Sequence, residues 1–200
     1  MRLIALCTSV ILATALMPQG AVALEPRFNE TAKRIMPTGP LAAIADLPQI
    51  EYDASKLPAP VARLRQQLLD LARAGDIDGL SAIIEGNEMM PKFSFGDESD
   101  PITFWKEVSG DGQGREILAI MLEVLQAGFV KVSDDDQRAL YVWPYFAEVP
   151  IADLTPRQEV ELYLIVTAQD RRDMEEFGAY NFFRLGIAED GQWRYFIAGD

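Results

Sequence analysis

The chain has no histidine, and its single cysteine, Cys7, lies in an apolar run near the start. The commonest general base and metal ligand at neutral pH is therefore missing, and a thiolate nucleophile is excluded once that run is removed. A serine–lysine nucleophile would show as Ser-x-x-Lys, which does not occur. The remaining candidates are carboxylates, a glycine-rich loop and aromatics.

Asp97, Glu98 and Asp100 are the nearest to a carboxylate pair for glycoside chemistry, in which one acid protonates and the other assists or attacks. The same cluster precedes Pro101, so it also reads as a helix cap. Gly110-x-Gly112-x-Gly114 opens a helix at Arg115, where free N–H groups can hold an anion. Gly112, Gly114 and Arg115 are the candidate anion ligands; a tight helix–helix connection is the competing reading. It is no dinucleotide fingerprint, because it follows a helix rather than a strand. Asp134-Asp135-Asp136 offers oxygen ligands for calcium but lacks the alternating spacing with a central glycine, so it reads as a solvated turn. No metal or other cofactor is assigned.

The densest aromatic stretch is Ala139 to Ala147. In an extended backbone Tyr141, Trp143 and Tyr145 share one face, opposite Leu140, Val142, Pro144 and Phe146. Proline cannot donate to a ladder, so the stretch is expected at a sheet border, with the terminal hairpin in the interior. Trp143–Pro144 is open to either peptide isomer. The aromatic face is either core or a groove with Tyr141, Trp143 and Tyr145 as platforms, Arg184 and Arg194 as polar partners and Trp193 alongside. Alternation in the last strand places Trp193 and Tyr195 on one face and Phe196 on the other.

The elements that must position these residues follow from periodicity. Leu64, Leu68, Leu71 and Ala72 recur at helical spacing from Val61, with Gly75 as a stop. A shorter helix runs to Ile84, and another from Ile102 to Val108 behind a Ser99 or Asp100 cap. A strongly apolar helix spans Ile117 to Leu125. Phe129 to Val132 alternates as a strand. Thr155-Pro156-Arg157-Gln158 is a capping box that starts a helix expected to reach Val166, and a further helix is expected over 170–177. Asn181 to Ala188 and Gln192 to Ala198 flank Asp190-Gly191 as a hairpin. The fold expected is α+β: helices in the N-terminal half packed on a small antiparallel sheet that ends in a C-terminal β-hairpin.

Arg2, the apolar run Leu3 to Met17 and Ala21-Val22-Ala23 read as a secretory signal over residues 1–23. Export to the periplasm or medium is expected, with no membrane insertion after cleavage. Residues 24–60 hold half of the prolines and read as an extended arm, either a strap laid on the domain or a tether, and 61–200 as one globular domain. Losing Arg2 takes the formal charge from −13 to about −14. Such a field repels phosphate backbones, so nucleic acid is not an expected partner.

Phe95-Gly96-Asp97, the Gly110 to Glu116 loop, Tyr141 to Phe146, Gly178-Ala179-Tyr180 and the ending from Asp190 resemble a set of uncharacterised exported proteins, mostly alphaproteobacterial, over about residues 60–200. Ala74 to Leu80 and the closing Asp-Gly-x-Trp are similar to the NTF2-like superfamily. Neither resemblance implies a catalytic residue. The function expected is a non-enzymatic envelope domain that binds a small ligand, a cell-wall fragment or an envelope protein. The alternatives are an interaction module with buried aromatics and a carboxylate-dependent glycan-cleaving enzyme.

Overall fold

The computed structural model describes residues 47–96, 98–133 and 138–199. The expected signal segment, most of the expected arm, Asp97 and Asp134-Asp135-Asp136 lie outside them.

Helix α1 (Ala59–Ala74) buries Val61, Leu64, Leu68, Leu69 and Ala72 and stops at Gly75, whose left-handed backbone returns its N–H to the last turn. A turn in which Asp76 accepts the Gly79 N–H leads to α2 (Leu80–Glu85). Helix α3 (Pro101–Val108) is capped by Asp100, which takes the Ile102 N–H at 3.0 Å, with proline in its first turn. Helix α4 (Arg115–Gln126) starts at Gly114, where φ is +76° and a Cβ would stand 2.9 Å from Ile77 Cγ1. Both backbone hand and space demand glycine there. Helices α1 and α4 pack together, and Arg65 Nη2 donates to the Leu125 carbonyl at 2.6 Å, answering the C-terminal end of α4.

The fold is α+β. Four antiparallel strands stand in the order β1 (Val130–Ser133), β2 (Ala139–Trp143), β3 (Arg184–Ala188), β4 (Trp193–Ile197), and β3–β4 is the expected C-terminal hairpin. Two expectations about the sheet are corrected. The aromatic strand is not at the border: Tyr141 pairs with Lys131 on one side and Ile187 on the other. Pairing ends at Trp143, so Pro144 interrupts no ladder; the chain leaves through a cis Trp143–Pro144 peptide into the 3-10 turn Tyr145–Glu148. The hairpin instead supplies one interior strand, β3, and one edge, β4. Lys92 covers part of that edge, donating to Arg194 O and accepting from Phe196 N–H at 2.9 Å each.

The second correction concerns β4. Tyr195 pairs with Gly186 and Trp193 with Ile187, which leaves Arg194 as an extra residue in a bulge. The bulge reverses the alternation, so Trp193 and Phe196, rather than Trp193 and Tyr195, meet the same partner. Both rings lie 5.8 Å from that of Trp105.

The described part of the arm lies on the domain as a strap. Glu51 and Phe129 exchange backbone hydrogen bonds of 2.8 Å, and Leu57 is buried. No helix among the described residues is long and apolar enough to cross a membrane.

Trp105 has no exposed surface and fills the space between Phe93, Trp193 and Phe196. Trp105→Ala is expected to cost about 3–5 kcal/mol in urea unfolding. Val160→Ala, on an exposed helix face, should stay within about 0.5 kcal/mol.

Candidate functional site

The sequence-derived aromatic residues do not form one groove. Tyr141 and Trp143 are buried, and both lie against Phe129, at 6.3 and 5.1 Å between ring centres. Trp193 is buried beside Trp105, with its Nε1 donating to Tyr195 O at 3.0 Å. Arg184 donates to Gly199 O at 2.6 Å. It also pulls the Glu148 carboxyl down against the larger upward push of burial. Arg194 is half-buried in the β4 bulge. Tyr180 is core, its hydroxyl on Phe183 O.

The glycine loop is occupied by the chain's own carboxylates. Asp111 Oδ1 accepts the N–H groups of Gln113 and Arg115 and the Ser109 hydroxyl, while Glu116 accepts the Gly110 N–H. The Arg115 guanidinium lies 3.8 Å from Asp111. Gly112 and Gly114 thus shape a self-capped connection. Glu98 is bonded to Ser94, and Asp100 is spent on its helix cap.

Tyr145 is different. Its ring is buried against Phe146, but its hydroxyl donates to Glu161 Oε2 at 2.9 Å, in the wall of a cavity of about 460 Å³. That volume is in the range of small-molecule sites, about 300–1,000 Å³. Three parts of the chain make it. The strap contributes Tyr52. The last turn of α4 and its exit contribute Glu123, Gln126, Ala127 and Gly128. Helix α5 (Pro156–Leu162) and the turn after it contribute Arg157, Glu161, Leu164 and Ile165.

Local sequence explains each placement. The Thr155–Gln158 capping box fixes the start of α5 and puts Arg157 one turn before Glu161. The helix stops at Leu162 instead of reaching Val166. A second capping box, Thr167 with Asp170, starts α6 (Ala168–Phe177) immediately afterwards. The intervening turn buries Ile165 and Val166 and leaves Tyr163 and Leu164 exposed. Gly128 makes room for both tyrosines: a Cβ there would stand 2.9 Å from Tyr52 Cε1 and 3.0 Å from Tyr145 Cδ1. The two rings meet edge to face at 6.1 Å.

Glu161 is the electrostatic centre. Oε2 accepts from Tyr52 at 2.7 Å and from Tyr145 at 2.9 Å, and Oε1 accepts from Arg157 Nε at 3.1 Å. Burial opposes its ionisation, yet these three donors outweigh it and hold the carboxyl below its ordinary value. Both tyrosine hydroxyls are pushed up, by burial first and also by the carboxylate they face. The Glu123 carboxyl, in contrast, is raised by burial alone, and its side chain has no hydrogen bond or ion pair among the described residues. It stands in the last turn of α4, where a carboxylate opposes the helix dipole.

Sequence reasoning found Tyr145 and missed Tyr52, Glu123, Arg157, Glu161 and Leu164. The available signal was the Arg157/Glu161 spacing behind a capping box, next to apolar Val160, Tyr163 and Leu164 on an otherwise charged helix. Comparison with protein-family models, curated proteins and solved structures gives no match to this chain.

Because the folded-state value of Glu161 is depressed, its contribution to stability is present above the ordinary glutamate value of about 4.3 and is lost as pH falls through the folded value. Glu161→Gln should therefore lower the melting temperature at pH 7, and its gap from the wild type should close below about pH 4. Gly128→Ala is expected to cost about 1–3 kcal/mol by driving the two rings apart, measured by chemical denaturation.

Proposed function

We propose that this chain is an exported, non-enzymatic binding domain of the bacterial cell envelope, and that it takes a small ligand or cell-wall fragment in the cavity between Tyr52, α4 and α5. The signal-like start and the resemblance to exported bacterial proteins support the compartment. One observation carries the binding reading. Two tyrosine hydroxyls and an arginine converge on one carboxylate in the wall of a half-open, largely apolar cavity, a rigid polar constellation at a place where the core does not need one.

Glu123 and Glu161 share the cavity and are shifted in opposite directions, which is the arrangement a carboxylate-dependent hydrolase uses. The hydrogen bonds favour binding instead. Three donors already occupy most of the acceptor directions of Glu161 and hold it ionised, so the group is better suited to anchoring its neighbours than to taking up a proton as a base. A purely structural role accounts for buried Trp143 and Trp193, but not for two tyrosine hydroxyls and an arginine gathered on Glu161.

The test is a thermal-shift screen of the protein against muropeptides, sugars, calcium and fatty acids, repeated on Leu164→Arg, which places a long charged side chain at the cavity mouth. A ligand at 100 times its Kd adds about 2.7 kcal/mol, a rise of about 5–10 °C for a chain of this size. A rise with a cell-wall fragment that disappears in Leu164→Arg is expected. No rise with any compound, or rises that survive the substitution, would remove the cavity from the reading.

A further inference from the structure

The charges at the mouth of the cavity narrow the chemistry of its occupant. The Arg157 side chain is largely exposed and makes two contacts: its Nε is bonded to Glu161, and its guanidinium carbon lies 5.8 Å over the ring of Tyr52. Its terminal nitrogens have no partner among the described residues, although the plane that carries them is oriented. A guanidinium oriented by these contacts presents a fork matched to a carboxylate.

Glu123 is the complementary group. It is an acid with no partner among the described residues, in the last turn of a helix whose dipole disfavours it, lining the same cavity. The same cavity is also lined by Leu164, Ile165 and the exposed face of Tyr52. The cavity thus offers a guanidinium whose terminal nitrogens are open beyond its pairing with Glu161, one carboxylate without a partner among the described residues, and an apolar surface.

Single-charge occupants fit poorly. An anion alone would satisfy Arg157 but meet Glu123 and the C-terminal end of α4, in a protein of net charge −13. A cation alone would satisfy Glu123 and leave the guanidinium fork empty. An uncharged sugar would leave both charges without a counterpart as it displaced their water.

We propose that the cavity binds a short peptide with free ends, its carboxylate on the Arg157 fork, its ammonium group at Glu123 and its apolar side chain against Leu164, Ile165 and Tyr52. This rests on the reading of the cavity as a ligand site. Tyr145 and Glu161 are positioning residues in it, since they act through Arg157 and Tyr52.

The experiment is isothermal titration of the full chain with the dipeptides L-Ala-L-Leu and D-Ala-D-Ala, each free, N-acetylated and C-amidated, with alanine and leucine as single amino acids for comparison. At least one free dipeptide should bind, more tightly than either amino acid, and each block should weaken it about tenfold, as expected for a lost charge-assisted contact. Glu123→Gln should abolish the penalty of acetylation while keeping that of amidation, and Arg157→Gln should do the reverse. Both side chains are exposed, and a melting temperature close to that of the wild type shows that each variant is folded. Free and blocked dipeptides binding alike, with Leu164→Arg still abolishing binding, would overturn the two-charge assignment and leave the cavity as a site of other specificity. Binding of every form that survives Leu164→Arg would overturn the site itself. Failure of all dipeptides, while another class of compound produces a cavity-dependent thermal shift, would overturn the peptide assignment alone.

Discussion

The junction Gly128–Phe129 is the constraint on which the rest of this molecule depends. Four parts of the chain meet there. Helix α4 ends just before it, β1 starts just after it, the strap pairs with Phe129 through Glu51, and the segment leaving β2 returns the Tyr145 N–H to Gly128 O at 2.9 Å. The ring of Phe129 packs under Tyr141 and Trp143, so the same two residues join helix layer, sheet and strap. A larger residue at 128 would press directly on Tyr52 and Tyr145 and drive them apart.

That convergence explains why a polar constellation can exist beside a dense aromatic core. Tyr145 has its ring in the core and its hydroxyl on Glu161, a residue of the cavity wall, and Tyr52, which is exposed, reaches the same carboxylate from the solvent side. Phenylalanine would fill both ring sites about as well but would leave Glu161 with only Arg157, in a position where burial already disfavours its charge. The tyrosines are thus the means by which an ionised carboxylate is kept at this depth, and the carboxylate in turn orients Arg157.

What was legible in the sequence was local. The Gly75 stop, the Asp100 cap before Pro101, both halves of the terminal hairpin and the Thr155 capping box depend on neighbours within a few residues, and each stands where periodicity and capping place it. Strand order and facing were harder to read, because one residue decides them. Pro144 falls one position past the last paired residue, so its missing N–H says nothing about the interior of β2. Arg194 is an extra residue that shifts Phe196 onto the face of Trp193, and nothing in the composition of β4 announces it. The cavity was less visible still: Tyr52 and Glu161 are separated by 109 positions and are brought together where the strap pairs with Phe129, just before β1. Locally, Tyr52 looks like any aromatic in a proline-rich arm.

The acidic character of the chain and the cation at the cavity have to be weighed on different length scales. At physiological ionic strength a charge is screened beyond about 8 Å, so the net charge of −13 shapes the approach of a ligand more than its final contacts. Within contact range the local inventory decides, and there Glu161 is already balanced by Arg157 and two hydroxyls. The residual features are a guanidinium with free terminal nitrogens and the unpaired Glu123. On the proposed reading of the cavity, a long-range field that disfavours anions, combined with a short-range fork that favours a carboxylate, would select against highly charged anionic compounds and in favour of a carboxylate that carries its own compensating positive charge.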